Sequence, residues 1–170
     1  MKKFLFAAAT GLFLFAVSCK DTTTSSTNST EEKNSARNKE VYRAIETGDV
    51  SKLDSFIDKN IVDHSEMGDI HGLDSLKKMF VEMHNKFSGL KMEPIAQATS
   101  ADGEYHFAWF KMTGTCTDSS MGMPAGTKMD MNGVDVVKIK NDKAVEHWGF
   151  ADPKDMMKMM GGNHKMNMKM

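Results

Sequence analysis

The sequence contains little arginine and shows no excess of positive charge, and each shortage excludes a kind of partner. Among 170 residues only Arg37 and Arg43 are arginines, so the planar clamps that bind phosphate or carboxylate groups are scarce. The formal net charge is −1, and no overall positive field attracts nucleic acid or an anionic membrane surface. We therefore expect no nucleic-acid partner.

The sequence also lacks an apolar run long enough to cross a bilayer. Residues 4–17 are apolar except for Thr10 and Gly11, but a transmembrane helix needs roughly 20 apolar residues. The run follows Lys2 and Lys3, which is the arrangement of a secretory signal peptide. The first 18 residues are therefore predicted to be a signal peptide.

That run ends in Ala16-Val17-Ser18-Cys19, which resembles a lipobox, the site at which lipoproteins are cleaved and lipidated. We predict that Cys19 carries the lipid and anchors an exported protein in a membrane, facing the periplasm or the cell surface. The alternative is an ordinary secretory signal with an incidental cysteine. If Cys19 is lipidated, Cys116 is left without a disulfide partner, because the chain has 2 cysteines.

The composition of the rest of the chain predicts three further segments. Residues 20–34 are mostly Thr, Ser, Asn, Glu and Lys, which cannot bury enough apolar surface to offset the entropy of ordering. Residues 19–36 are therefore predicted to be a flexible tether. Residues 37–162 form the predicted domain, and residues 163–170 form a methionine-rich tail.

The first half of the domain carries helical signals. A helix is predicted from Ser35 to Gly48, and a second from Ser51, where Leu53, Phe56 and Ile57 form one stripe. Residues 60–72 are polar and irregular. A third helix is predicted from Leu73 to Phe87, where apolar residues recur at spacings of three and four.

The second half alternates with a period of two, which is typical of half-buried strands. Strands are predicted over 91–100, 105–117, 127–140 and 143–150, with a hairpin turn at Asp102-Gly103. Asp152-Pro153 begins a short closing helix. This order predicts an α+β fold in which a curved antiparallel sheet packs on three N-terminal helices. A cavity between the two layers is the expected ligand site.

The order and spacing of several motifs resemble the SnoaL-like polyketide cyclase branch of the nuclear transport factor 2-like superfamily. The resemblance covers residues 38–162. The motifs are Gly48-Asp49, Ile61-Val62-Asp63-His64, Gly72-Leu73, Gly114-Thr115-Cys116-Thr117, the segment 121–128, Gly133-Val134-Asp135, Lys138-Ile139, the segment 141–145, Glu146-His147-Trp148 and Asp152.

The resemblance implies a cone-shaped domain, often dimeric through its sheet, with a pocket for a small organic molecule between helices and sheet. It also implies acid–base chemistry beside a carbonyl group. Related members isomerise, dehydrate or only bind their ligands, and the fold does not choose among these. Two positions depart from the family: Gly149 follows Trp148 where the cyclases have an acid, and Cys116 stands where many relatives have histidine.

Three residues are candidates for catalysis. His64 stands where related isomerases place a general base, and histidine moves protons near neutral pH. His147 shares a strand face with Gly149 and should point into the cone, and Asp135 is the acid best placed to replace the missing one. The structural alternatives are that His64 bonds across the helix–sheet junction and that Asp135 and His147 form a structural pair.

The remaining candidates concern the pocket wall and copper. Residues expected to line the pocket are Tyr42, Phe80, Met112, Cys116 and Gly149, with Cys116 as a wall residue because no activating signature surrounds its thiol. The chain has 17 methionines, and thioethers near histidine suit Cu(I). Such a site would use Met121, Met123, His164, Met166 and Met168. The alternative is that these methionines fill space around an adaptable pocket.

We expect no cofactor, with copper as the alternative. Three functions remain open from the sequence: a cofactor-free isomerase, cyclase or lyase; a binding module that uses the same pocket without turnover; and a copper-binding protein. The expected ligand is small and mostly apolar, and the expected oligomer is a homodimer formed through the sheet.

Overall fold

A computed structural model describes residues 23–65, 68–119 and 122–159, with side chains from residue 29. The helices are α1 (Thr23–Thr47), α2 (Leu73–Lys86) and α3 (Pro153–Met159), with one 3-10 turn at Leu53–Ser55. The strands are β1 (Ile57–His64), β2 (Ile70–His71), β3 (Phe87–Thr99), β4 (Tyr105–Cys116), β5 (Lys128–Lys140) and β6 (Lys143–Ala151).

The strands form one six-stranded sheet in the order β2-β1-β6-β5-β4-β3. Strands β3 to β6 are a continuous antiparallel meander, as predicted. Strand β1 joins this meander in parallel with β6, and β2 pairs with β1 at the edge. The α+β class and the cone-like arrangement are confirmed, but the sheet is mixed rather than wholly antiparallel.

Helix α1 begins earlier than the sequence predicted. Residues 23–36 were expected to be a flexible tether, but they form the first half of a 25-residue helix. The side chains of Lys33 and Arg37 both contact Asp142, in the turn between β5 and β6. Asn34 is buried. These contacts with a distant part of the chain hold a segment whose own composition is too polar to fold alone.

The predicted second helix is also wrong. Only one 3-10 turn forms there, and the chain then enters β1, which includes part of the stretch expected to be irregular. Short apolar runs fit a helix and a strand equally well, and here pairing with β6 decides in favour of a strand. Within β1 the side chains alternate: Ile61 and Asp63 are buried, whereas Val62 and His64 face the other side of the sheet.

The other elements follow the predicted pattern closely. Helix α2 buries Leu73, Leu76 and Phe80 on one stripe. Asn141 and Asp142 adopt positive φ angles of 49° and 67° in the tight turn between β5 and β6, as that turn type requires. The Oδ1 atom of Asp152 accepts a 2.8 Å hydrogen bond from the backbone N–H of Lys154 at the beginning of α3.

The core lies between the two long helices and one face of the sheet, which we call the inner face. It is built from large apolar side chains that include Ile45, Leu53, Ile61, Phe80 and Phe110. The inner face and the helices therefore enclose the region in which a ligand site was expected.

Within the described ranges, no helix is both long enough and apolar enough to span a membrane.

Candidate functional site

A cavity of about 210 Å³ lies between α1, α2 and the inner face of the sheet. Most of its wall is aliphatic, aromatic or methionine side chains, and the predicted residues Tyr42, Phe80 and Met112 are among them. The volume exceeds the roughly 150 Å³ of an engineered apolar cavity that binds benzene. The cavity is therefore large enough for a ligand of one or two rings.

One wall of the cavity carries four polar residues joined by hydrogen bonds, which we call the carboxylate–histidine cluster: Tyr42, Asp63, Asp135 and His147. The Tyr42 hydroxyl donates to Asp135 Oδ2 at 2.8 Å. His147 Nε2 lies 3.2 Å from Asp135 Oδ1, and His147 Nδ1 lies 3.0 Å from Asp63 Oδ2. All four residues line the cavity.

Strand register brings the cluster together. Asp63 on β1 is the direct partner of His147 on β6. Asp135 on β5 is paired with Gly149, two residues after His147, so its side chain reaches His147 diagonally on the same face. The predicted proximity of Asp135 and His147 is confirmed. Asp63 was missed, although it belongs to a motif quoted for the family resemblance.

Two predicted pocket residues lie elsewhere. Gly149 adjoins the cluster, since a Cβ atom there would lie 3.5 Å from His147 Cε1 and 3.7 Å from Asp135 Oδ1, but it is exposed and outside the cavity wall. Cys116 is buried in the core at the far end of β4 and does not line the cavity. The expectation that these two line the pocket is corrected accordingly.

The electrostatics of the cluster centre on His147. Burial alone would lower the pKa of His147, but hydrogen bonds to Asp135 and Asp63 outweigh this effect and raise the pKa to about 9. At neutral pH the ring is therefore an imidazolium that donates to both carboxylates. Burial and the nearby charge of Asp135 raise the pKa of Tyr42, which keeps its phenol neutral.

His64 does not join the cluster. Because β1 alternates and Asp63 faces inward, His64 faces the outer side of the sheet, where its ring stacks on Trp148 with centroids 4.8 Å apart. Its Nδ1 lies 3.1 Å from Asp69 Oδ1, and its Nε2 lies 3.4 Å from Glu146 Oε2. His64 therefore lies outside the cavity, one residue along the strand from Asp63. Its partners belong to β6 and to the segment before β2, so it does not bond across the helix–sheet junction either.

A second polar group lines the cavity apart from the cluster. His106 is only 2% exposed, with Nδ1 at 3.0 Å from Thr99 Oγ1 and Nε2 at 3.2 Å from Gln97 Oε1. Burial lowers the pKa of His106. The Asn38 amide donates to the same Gln97 oxygen at 3.2 Å. Asn34, one helical turn before Asn38, also lines the cavity, and sequence reasoning missed it by assigning it to a tether.

The residues proposed for copper are only partly described. Met123 is buried and packs in the core, whereas Met121, His164, Met166 and Met168 lie outside the described residues, as does Cys19. In the part of the chain that the structure describes, no group of three or more His, Cys, Asp or Glu side chains is arranged to hold a metal ion. Copper binding through methionines stays a prediction.

The charge of His147 predicts a pH dependence of stability. A group whose pKa is higher in the folded chain stabilises it fully below the unfolded value, about 6.5 for histidine. For His147 this contribution is lost as the pH rises through about 9. We expect the free energy of unfolding to fall by about 2–3 kcal/mol more between pH 6 and pH 10 in the wild type than in His147→Gln.

Urea denaturation at a series of pH values measures this difference. His71→Gln is the matched control, because His71 is exposed on the edge strand β2 and its replacement should leave the wild-type profile unchanged. Equal pH profiles for the wild type and His147→Gln would show that the imidazolium contributes no pH-dependent stability.

The fold and a family comparison agree. Residues 36–159 match the family model described as SnoaL-like polyketide cyclase. No curated protein matches the chain at a significant level.

Solved structures share the fold at low sequence identity. TsrD from Streptomyces laurentii is 15% identical with a TM-score of 0.68, over 76% of this chain and 96% of that one. IdmH from Streptomyces antibioticus is 20% identical with a TM-score of 0.62, over 75% and 97% of the two chains. A SnoaL-like polyketide cyclase from Agrobacterium tumefaciens is 16% identical with a TM-score of 0.63, over 75% and 97%. Because the matching segment makes up well over half of the sequence, the chain belongs to the SnoaL-like polyketide cyclase family.

Proposed function

We propose that this chain is an exported lipoprotein whose domain binds a small, mostly apolar organic molecule and transfers a proton on it. The observation that carries the proposal is the carboxylate–histidine cluster in the wall of a mostly apolar cavity. Apolar walls supply binding, and a few convergent polar groups orient the ligand. A carboxylate held in such a site meets little competing water.

Asp135 is the proposed base. Its carboxylate would take a proton from a carbon atom beside a ligand carbonyl and return that proton to another position, which gives isomerisation, or ring closure if the carbanion attacks a second carbonyl. Both His147 nitrogens already contact carboxylates, so His147 acts as a positioning residue that orients the Asp135 carboxylate. Tyr42 holds the other oxygen of Asp135.

The description of the matching family supports a carbonyl-containing ligand. The family is named for polyketide cyclases, and the Agrobacterium neighbour carries the same description. Polyketides are chains of carbonyl groups on an apolar backbone, which suits an apolar cavity with one polar wall. The step needs no cofactor, because a carboxylate, an imidazolium and a neutral phenol supply all the required proton donors and acceptors.

A non-catalytic binding module is the second candidate, and one observation favours it. Both oxygens of Asp135 and both nitrogens of His147 already have hydrogen-bond partners within the chain. A cluster that satisfies itself is also a structural network, which stabilises the wall of a cavity without acting on its occupant. Binding and proton transfer must therefore be measured separately.

Exchange of carbon-bound protons in D₂O measures proton transfer directly. With 2-tetralone, a two-ring ketone, the wild type should accelerate α-proton exchange over buffer. Asp135→Asn should reduce that acceleration by about 10²–10⁴-fold, the range that a positioned acid–base group supplies. His64→Gln should leave it unchanged, because His64 lies outside the cavity. ¹H NMR follows both the exchange and the binding.

The outcomes separate the two candidates. Binding of 2-tetralone with exchange no faster than in buffer would support the binding module and reject catalysis. Acceleration that survives in Asp135→Asn would reject Asp135 as the base. If 2-tetralone does not bind at all, the cavity is not a site for two-ring ketones.

The domain is also proposed to form a homodimer through the outer face of the sheet. Five large apolar side chains are exposed there, which we call the outer apolar patch: Ile95, Phe107, Trp109, Val134 and Phe150. Val134 is paired with Trp109 on one side and Phe150 on the other, so the patch is continuous across strands. Exposed apolar patches of this kind mark interaction sites.

A second copy of the chain is the proposed occupant because the surrounding charges are balanced. Lys111 pairs with Asp130, and Lys138 pairs with Glu146, on strands that carry the patch. A two-fold interface places the same surface against itself, and a rim of paired opposite charges avoids repulsion between two copies.

Trp109→Glu should convert the dimer to a monomer, because two buried carboxylates would face each other across the interface. Light scattering coupled to gel filtration measures the mass. Lys78→Glu, on the exposed side of α2, introduces the same carboxylate and should leave the dimer intact. A wild-type chain that runs as a monomer would contradict the proposal.

The lipid anchor is proposed from the sequence around Cys19. Cys19→Ser should prevent diacylation, so intact-mass spectrometry of the protein from bacterial cells should show no lipid, and the chain should leave the membrane fraction. Cys116→Ser is the matched control, because Cys116 is buried and its variant should keep both the lipid mass and the membrane location. A Cys19→Ser variant that still carries lipid would reject this site.

A further inference from the structure

Asn34 has an unusual environment for a side-chain amide. The residue is 4% exposed and lines the cavity, and its Nδ2 atom has no hydrogen-bond partner among the described residues. A buried polar group without a partner is costly, and native structures rarely leave one in place without a reason. Within the part of the chain that the structure describes, the amide is therefore a donor without an acceptor.

The neighbouring polar groups on this side of the cavity are already engaged. Asn38 donates to Gln97, and His106 contacts both Gln97 and Thr99. Arg37, which also lines the cavity, pairs with Asp142. Asn34 lines the same cavity but differs from these residues in that its Nδ2 donor has no partner among the described residues.

Asn34 also lies far from the carboxylate–histidine cluster. Asn34, Asn38 and Tyr42 follow one another at intervals of four residues along α1, so they share one face of the helix. At 1.5 Å of rise per residue, Asn34 and Tyr42 are about 12 Å apart along the helix axis. Asn34 is therefore a polar group of the cavity wall remote from the cluster, with Asn38 between them along the helix.

The charges near Asn34 indicate what kind of acceptor fits. Two cations, Lys33 and Arg37, share Asp142, and Glu31 adds a second negative charge that acts on His106. Because these charges offset one another, no net positive charge favours an anionic group, whereas a neutral oxygen can accept from the amide at no electrostatic cost.

We propose that Asn34 recognises a neutral hydrogen-bond acceptor, such as a ketone or ether oxygen, at the end of the ligand remote from the cluster. The inference rests on the proposed ligand site and deepens it. The ligand is then an apolar scaffold with two polar ends, one facing Asp135 and the other facing Asn34.

Two probes of the same shape test this inference. 2-Acetylnaphthalene and 2-isopropenylnaphthalene differ only in that the first has a carbonyl oxygen where the second has a CH₂ group. Equilibrium dialysis gives the Kd of each probe for the wild type and for Asn34→Leu, in which an apolar side chain of similar size replaces the amide. Asn85→Leu is the matched control, since Asn85 is an exposed asparagine on α2.

The measured quantity is the preference for the carbonyl probe, defined as the Kd of the isopropenyl probe divided by that of the acetyl probe. We expect Asn34→Leu to reduce this preference about fivefold to tenfold, in line with the loss of one hydrogen bond to a buried donor. Asn85→Leu should leave it unchanged. Asn34→Asp, a second variant that removes the donor, should reduce the preference at least as much.

Thermal unfolding gives an independent readout. Removing an unpaired buried amide should raise the Tm of unliganded Asn34→Leu by a few degrees, although the same change weakens binding of the carbonyl probe. A merely structural asparagine would instead lower the Tm on replacement.

Each result has a distinct meaning. An unchanged carbonyl preference in Asn34→Leu and Asn34→Asp, with both probes still bound, would overturn the role of Asn34 and leave the ligand site intact. Failure of both probes to bind the wild type would overturn this inference together with the proposed two-ring ligand. A lowered Tm in Asn34→Leu would show that the amide is satisfied without ligand, which also overturns the inference.

Discussion

The buried charge pairing of His147 with Asp63 and Asp135 is the interaction on which the site depends. It joins β6 to β1 on one side and to β5 on the other, and Tyr42 extends it to α1. Buried ions are tolerated only when they are well paired, so the cluster also selects the register of the parallel β1–β6 pair. A slip of one residue would turn Asp63 outward and bring His64 against His147, which would remove one of the two carboxylates that pair with the imidazolium.

The same pairing sets the polarity of the whole cavity. Two carboxylates and one imidazolium leave a net charge of −1 in the cluster, inside walls that are mostly apolar. A carboxylate ligand would meet repulsion at this end and gain little at the other, where Asp142 and Glu31 offset the charges of Lys33 and Arg37. A neutral molecule with oxygen acceptors meets neither obstacle. The charge of the cluster and the apolar walls therefore favour the same class of ligand, neutral molecules with oxygen acceptors. The cluster residues that favour it lie on α1, β1, β5 and β6.

The parts of the fold predicted correctly are those that local patterns determine. The alternation of side chains along β4, β5 and β6 predicts which of them face inward, and it correctly predicts the inward direction of Asp135 and His147. Strand β1 was predicted to be partly helical and partly irregular, because its pairing partner lies more than 80 positions later and a short run carries no trace of that partner. The start of α1 was missed for the same reason, since Lys33 is held by Asp142. His64 was chosen on the family resemblance, and only the alternation of β1 shows that Asp63 rather than His64 faces the cavity.

The early beginning of α1 has a consequence for where the domain works. Three residues separate Cys19 from Thr23, and an extended chain of that length spans at most about 14 Å between the two α-carbons. If Cys19 carries acyl chains, the domain stays close to the membrane, and the N-terminus of α1, which lines the cavity, lies near the bilayer. Asn34 is then nearer to the lipid than Tyr42 is. An apolar ketone dissolved in the membrane would then meet the Asn34 end of the cavity first.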